Sequence, residues 1–383
     1  MSMRHATLPV TFAAALLVSV TLGAQQHVKQ LCPPCGAVAA AQDGAEDLPA
    51  GALTHRDWVH RERGISASGW QTVRGATYKL GTGATVLQID TGVVPTHPLL
   101  PRFANGSGLD LHRADGLYAP KQGQVDPLLG GLLRFPGHGT KTASTIIALP
   151  SGAFTGIKGA APGVHHIPVR ATEGVLLLPS RIGELDTEHW RISRALNEAS
   201  LGANGLFRTR IDVVSISLGT FPAPDDLCTS VANAVRAGVI VIAAAGNEVK
   251  HTKFPAKCAG ALAIAGSTYE QAPWSGSAGS EEVVVAAPGE AVWTGSIWQG
   301  AHCIEASSGT SFSTALVASI AAEWVAFLRQ QGRMPADPVT QFRQLLISTA
   351  RPWTGPRAAD WARRFGSGIV DQTALMQATQ AGR

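Results

Sequence analysis

Charge is scarce in this chain: Asp, Glu, Lys and Arg make up 15% of its 383 residues, and there are only 3 Tyr, 4 Met and 5 Cys. Disorder over most of the length is excluded, because 45% of the residues are hydrophobic and can bury one large core or two modest ones. The formal net charge of +4 is spread without a block of basic residues, so neither a nucleic acid nor a membrane surface is implied as a partner. No internal repeat is present, which excludes a solenoid or propeller array. The cysteines also lack company. Cys32-Pro-Pro-Cys35 has no second CxxC or close His pair to complete a zinc site, and no strand and helix context for a thioredoxin-type motif.

The first residues read as an export signal. Arg4 and His5 precede an apolar stretch from Leu8 to Leu22, followed by Gly23 and Ala24. The stretch is shorter than the ~20 residues that a membrane span takes, so no stable span is expected after cleavage. Three regions follow: a signal peptide over 1–24, a short propeptide or N-terminal arm over 25–78, and a catalytic domain over 79–380. Export makes disulfides admissible. Cys228 and Cys258 each lie shortly after a strand end and bracket a strand–helix unit, which predicts that they pair. Cys32 with Cys35 is the second bridge expected, leaving Cys303 free.

From Thr82 onward, strand and helix patterns alternate. Ala84–Ile89, Val213–Ile216 and Val239–Ala245 are apolar runs of strand length rich in β-branched residues. Ile192, Ala195, Leu196 and Ala199 stripe one face of a helix over Trp190–Leu201, and Ser230–Ala237 reads as a helix closed by Gly238. Helical runs also follow His138, over Thr140–Leu149, and Ser311, over Phe312–Leu328. The alternation implies an α/β fold, a doubly wound parallel sheet with helices on both faces.

Three glycine-edged motifs stand out against this background: Asp90 in DTG, His138 in GHGT and Ser311 in SGTSFSTA. A serine hydroxyl is a weak nucleophile at neutral pH. It needs an imidazole to take its proton and a carboxylate to fix the tautomer of that imidazole. The order Asp, His, Ser is that of subtilisin, and the GxSxG elbow and Ser, Asp, His order of α/β-hydrolases are absent. A single DTG, with no second DTG or DSG, argues against an aspartic-protease pair of carboxylates. Gly139-Thr-Lys-Thr142 completes no phosphate-loop pattern.

With VLQIDTGV, GHGTKTAS, VVSISLG, VIVIAAAGNE, VVVAAPG, SSGTSFSTA and FGSGIVD all in register, the chain resembles the subtilisin-family serine proteases, the subtilases of peptidase family S8, from about Thr82 to about Ala378. The resemblance implies a subtilisin-like fold and a secreted or periplasmic endopeptidase, a monomer acting on protein or peptide substrates through an acyl-enzyme. Asp90, His138 and Ser311 would be its triad and Asn247 its oxyanion donor. Ser217, Leu218 and Gly219 match the family's segment that pairs with an extended substrate main chain. Glu248 resembles the acidic residue at the family's primary side-chain pocket, and reads equally as a solvated loop charge. No organic cofactor is required; calcium is compatible with the family, without assignable ligands. Two departures stand out: Lys141 where the family usually has His, and Ala315 where it usually has Pro. A subtilase-like binding protein that has lost turnover is the alternative from another class.

Overall fold

The computed structural model describes residues 29–31, 38–39, 56–67, 80–100, 109–110, 137–152, 154, 156–172, 174–177, 186–220, 225–298 and 300–382. The expected signal peptide and the Cys32–Cys35 pair lie outside them. In chain order the strands are β1 (Lys29–Leu31), β2 (Val38–Ala39), β3 (Thr85–Asp90), β4 (Leu109–Asp110), β5 (His165–Arg170), β6 (Leu176–Leu177), β7 (Val213–Ile216), β8 (Gly219–Thr220), β9 (Ile240–Ala244), β10 (Leu262–Ser267), β11 (Val283–Pro288), β12 (Val292–Trp298) and β13 (Ala301–Ser307). The helices are α1 (His138–Ile147), α2 (Asp186–Ser200), α3 (Asp225–Arg236), α4 (Thr310–Gln330), α5 (Pro338–Thr349), α6 (Ala358–Phe365) and α7 (Gln372–Gln380).

Seven strands form one parallel sheet in the order β11-β10-β9-β7-β3-β5-β4. Side chains alternate along each strand between the two faces, and each face has its own core. Val86, Val213, Ile240 and Ile242 join α1, α4 and α5 on one side. Leu87, Ile89, Val214 and Val241 join α2 and α3 on the other. The doubly wound α/β arrangement expected from the sequence is therefore the one observed. The stripe Ile192, Ala195, Leu196 and Ala199 is buried against the sheet as its spacing requires. Helix α3 begins earlier than its expected start at Ser230, because the apolar stripe already starts at Leu227 and continues through Val231 and Ala234. Gly238, at φ +80°, ends that helix in the left-handed conformation that costs glycine least.

Helix α4 differs in kind. Every residue from Thr310 to Leu328 is buried. Two of its hydroxyls avoid orphaned polarity by bonding back within the helix, Thr314 Oγ1 to the Thr310 carbonyl at 2.9 Å and Ser319 Oγ to the Ala315 carbonyl at 2.8 Å. Buried Glu323 accepts the backbone N–H of Gly81. The helix is long and apolar enough to cross a membrane, but all of that apolar window is enclosed by protein.

A second, antiparallel sheet has the order β12-β13-β1-β2, so strand β1, which lies within the expected N-terminal arm, pairs with the hairpin that precedes α4. Farther along the arm, Trp58 and Ile65 belong to the same core as α4, and Trp58 Nε1 donates to the Ala291 carbonyl at 3.1 Å. The core thus extends upstream of residue 79. Cys228 and Cys258 are joined, their Cα atoms 5.1 Å apart, as their spacing predicts. Cys303 is disulfide-bonded and not the free thiol expected. The sequence spacing could not reveal this, because the cysteine lies on β13 beside a strand that comes from far upstream.

One buried histidine makes the fold sensitive to acid. His97 donates from Nε2 to the Cys303 carbonyl at 3.1 Å, while Nδ1 accepts the Leu99 N–H at 3.2 Å, so both ring nitrogens are satisfied in the neutral form. Burial, with a smaller contribution from His302, lowers its pKa from 6.5 to about 4. Between those values the unfolded chain takes up the proton first, so stability is lost as pH falls from 6.5 toward 4. In a thermal-unfolding series, the Tm difference between the wild type and His97→Gln should narrow over that window. A constant difference would show that His97 does not titrate this way.

Candidate active site

The parallel sheet delivers two of its strand ends to one place. Asp90 is the last residue of β3 and is 1% exposed. Its Oδ1 accepts the Thr91 N–H at 2.7 Å and faces His138 Nδ1, also at 2.7 Å. Its Oδ2 accepts the Thr142 hydroxyl at 2.9 Å and, at a long 3.5 Å, Gln88 Nε2. All four contacts are with donors or with a ring nitrogen that can donate, so both carboxylate oxygens serve as acceptors.

His138 is the first residue of α1, two positions earlier than the sequence pattern suggested. Gly137 precedes it at φ +74°, a left-handed turn into the helix. With Nδ1 donating to Asp90, Nε2 is left as the acceptor, and it lies 3.0 Å from Ser311 Oγ. Ser311 is the second residue of α4, so its N–H is one of the unpaired donors at a helix N-terminus, where partial positive charge collects. The structure thus brings together three residues separated by 48 and 173 positions.

Asn247 follows β9 and lies on the other side of Ser311. Its Oδ1 accepts both the N–H of Thr310, at 2.9 Å, and the Thr310 hydroxyl, at 2.8 Å. This fixes the amide the right way round: the oxygen is occupied, and Nδ2 faces the Gly309 side, 3.2 Å from where a Cβ on that glycine would stand. Ser217 also touches the nucleophile's helix, its hydroxyl donating to the Ser311 carbonyl at 3.1 Å. Leu218 is buried, and Gly219 begins the short parallel pair of β8 with β6. All seven residues expected for the site therefore lie around the N-terminus of α4 or on the segment beside it. Glu248 is exposed, with a positive φ of 53° and its carboxylate lying against Gly276.

The sequence reading missed the supporting residues. Thr142 stands four positions after His138, on the same helix face, and that spacing was the available signal. Gln88 Nε2 donates to the Thr142 hydroxyl at 2.6 Å and to the Gly139 carbonyl at 2.9 Å, and Thr310 orients Asn247. Lys141 has a partner of its own: Nζ lies 2.6 Å from Glu305 Oε1, and Ser307 donates to the same oxygen at 2.8 Å. Among the described residues no group of three or more His, Cys, Asp or Glu side chains is placed to hold a metal ion.

Comparison with known proteins follows the same outline. The pattern of the subtilase family matches residues 81–368. A thermostable alkaline protease of Halalkalibacterium halodurans is 27% identical over 291 residues, which cover 76% of this chain and 66% of that protein. An extracellular protease of Xanthomonas campestris is 27% identical over 79% of this chain and 52% of its own length. The chain thus spans between about half and two thirds of these relatives. Among solved structures, a protease of Pseudoalteromonas arctica has a TM-score of 0.63 at 22% identity, covering 84% of this chain and 97% of that one, a likeness of fold.

Two backbone segments of the site leave no room for a side chain between them. A Cβ added to Gly139 would lie 1.8 Å from the Gly92 carbonyl oxygen, so the first turn of α1 rests directly on the loop after Asp90. Gly139→Ala should therefore destabilise the fold by about 2–3 kcal/mol or more. Urea unfolding measures it; a loss below about 0.5 kcal/mol would mean that the two segments can separate freely.

Proposed function

This chain belongs to the subtilase family, and from that premise we propose that it is a secreted serine endopeptidase working through an acyl-enzyme. The observation that carries the reading is the continuous line of contacts from Asp90 Oδ1 through both nitrogens of His138 to Ser311 Oγ, at 2.7 and 3.0 Å. In the proposed reaction Ser311 Oγ attacks the scissile carbonyl carbon while its proton passes to His138 Nε2. Asp90 remains ionised, holds the Nδ1–H and stabilises the imidazolium. The carbonyl oxygen becomes an oxyanion between the Ser311 N–H and Asn247 Nδ2, two donors held in place before the charge develops. As the C–N bond breaks, His138 returns the proton to the leaving amine. Water then repeats the sequence on the ester carbon, His138 again taking and returning the proton, and Ser311 is regenerated.

Protein or peptide substrates would run extended along Ser217, Leu218 and Gly219, bonding through their main chain. Secretion is supported by the apolar stretch after Arg4 and His5, by the Cys228–Cys258 disulfide, which suits an oxidising compartment, and by a relative named as an extracellular protease.

Fluorophosphonate should label the wild type at Ser311. Ser311→Ala should lose labelling and casein hydrolysis while keeping its melting temperature near that of the wild type; hydrolysis at the wild-type rate, with contamination excluded, would remove Ser311 from the mechanism.

Asn247→Ala should lower kcat by roughly 10²–10³-fold with little change in KM, the size that loss of this donor has in subtilisin itself. Active-site titration together with a melting curve separates this from a turn role, which predicts a less stable protein with near-normal kcat per folded molecule.

A further inference from the structure

The proposed endopeptidase reading leaves the side-chain preference open, and one lysine bears on it. A substrate whose scissile carbonyl sits at Ser311 Oγ, with its oxygen toward Asn247 and its main chain along 217–219, directs the side chain before the scissile bond between two walls. One is the segment ending at Gly219, the other the segment 245–247 around Gly246. Both walls carry glycine, and Lys253 is the side chain that lies against both of them, with Val249 and Ala278 also beside Gly246. A Cβ on Gly219 would lie 3.2 Å from Lys253 Cβ and 3.5 Å from its Cγ; a Cβ on Gly246 would lie 3.0 Å from the same Cγ.

The backbone fixes Lys253 there. Its N–H donates to the Ala245 carbonyl at 2.9 Å, tying it to one wall, and the next residue, Phe254, exchanges backbone hydrogen bonds with Thr220 on the other. The stem of Lys253 therefore closes the inner end of the gap. Among the described residues of this loop Lys250 and His251 are exposed, and Lys257 is paired with Glu282 at 3.4 Å. Glu248, at the start of the same loop, has its carboxylate turned to Gly276. Partial burial lowers the Lys253 pKa. Lys253 also has an interaction of its own within the protein, which an incoming carboxylate would join or displace.

We propose that Lys253 is the specificity-determining residue of this site and selects substrates with an acidic side chain, Glu or Asp, immediately before the scissile bond. The pairing is a charge-assisted hydrogen bond in a partly desolvated gap, where a neutral isostere forfeits the ionic part and a cation is repelled. This inference rests on the endopeptidase reading.

The test is a set of three peptides on one frame, with Glu, Gln or Lys before the scissile bond, assayed for kcat/KM with the full-length secreted protein. The wild type should prefer Glu over Gln by ~10–100-fold and cleave the Lys peptide least. Molar salt should shrink the Glu preference, a readout that needs no variant. Lys253→Met, which keeps the stem and removes the charge, should bring the Glu-to-Gln ratio close to one, with fluorophosphonate titration counting the folded sites. A wild-type ratio near one, or a preference that persists in Lys253→Met, overturns the role of Lys253 and leaves the protease reading standing. Failure of the wild type to cleave any peptide or to react with fluorophosphonate overturns that reading, and this inference with it.

Discussion

The enclosure of helix α4 is the constraint on which the rest of the structure depends. From Thr310 to Leu328 no face of it meets solvent, so its axis is fixed by packing against the sheet on one side and against α1 and α5 on others. Ser311 sits in the first turn of this helix and inherits that rigidity. A loop-borne serine would have to be held by its own contacts; here the core of the molecule holds it. The two other ends of the site reach the same point by equally stiff routes, β3 for Asp90 and the first turn of α1, packed on the Gly92 backbone, for His138.

Much of this was legible in the sequence because it is written locally. Continuous apolar runs rich in β-branched residues marked β3, β7 and β9, the stripe from Ile192 to Ala199 marked α2, and the glycine-edged motifs marked Asp90, His138 and Ser311. What stayed hidden is non-local. Nothing near Thr310 in sequence says that its hydroxyl will grip Asn247, 63 residues away, and nothing near Cys303 says that β1 will lie beside its strand. The start of α3 was misplaced for a smaller reason: Asp225 and Asp226 look like a loop until Leu227 is recognised as the first residue of the buried stripe.

Both departures from the family pattern have a structural setting. Ala315 is fully buried inside α4, where a proline would have no N–H to give the helix and alanine gives one. Lys141 is countered by Glu305 on the neighbouring β13, and that carboxylate also accepts the Ser307 hydroxyl. The carboxylate of this pair is buried and the lysine partly so, and removing Lys141 would leave Glu305 uncompensated. The pair also links α1, which carries His138, to the hairpin leading into α4.

The distances along the chain have a consequence in time. His138 meets Asp90 across 48 residues and Ser311 across 173, and β1 pairs with a strand that lies just before α4. Contacts of such range form only after the loops between them have closed, and they form late. A chain still being synthesised, or one only partly assembled, therefore holds the proposed nucleophile apart from its base, or lacks it altogether. The proposed hydrolytic competence would then arrive only with the completed sheet, so that an unfinished copy would not turn on its neighbours, and the order of assembly itself would act as a safeguard against self-digestion.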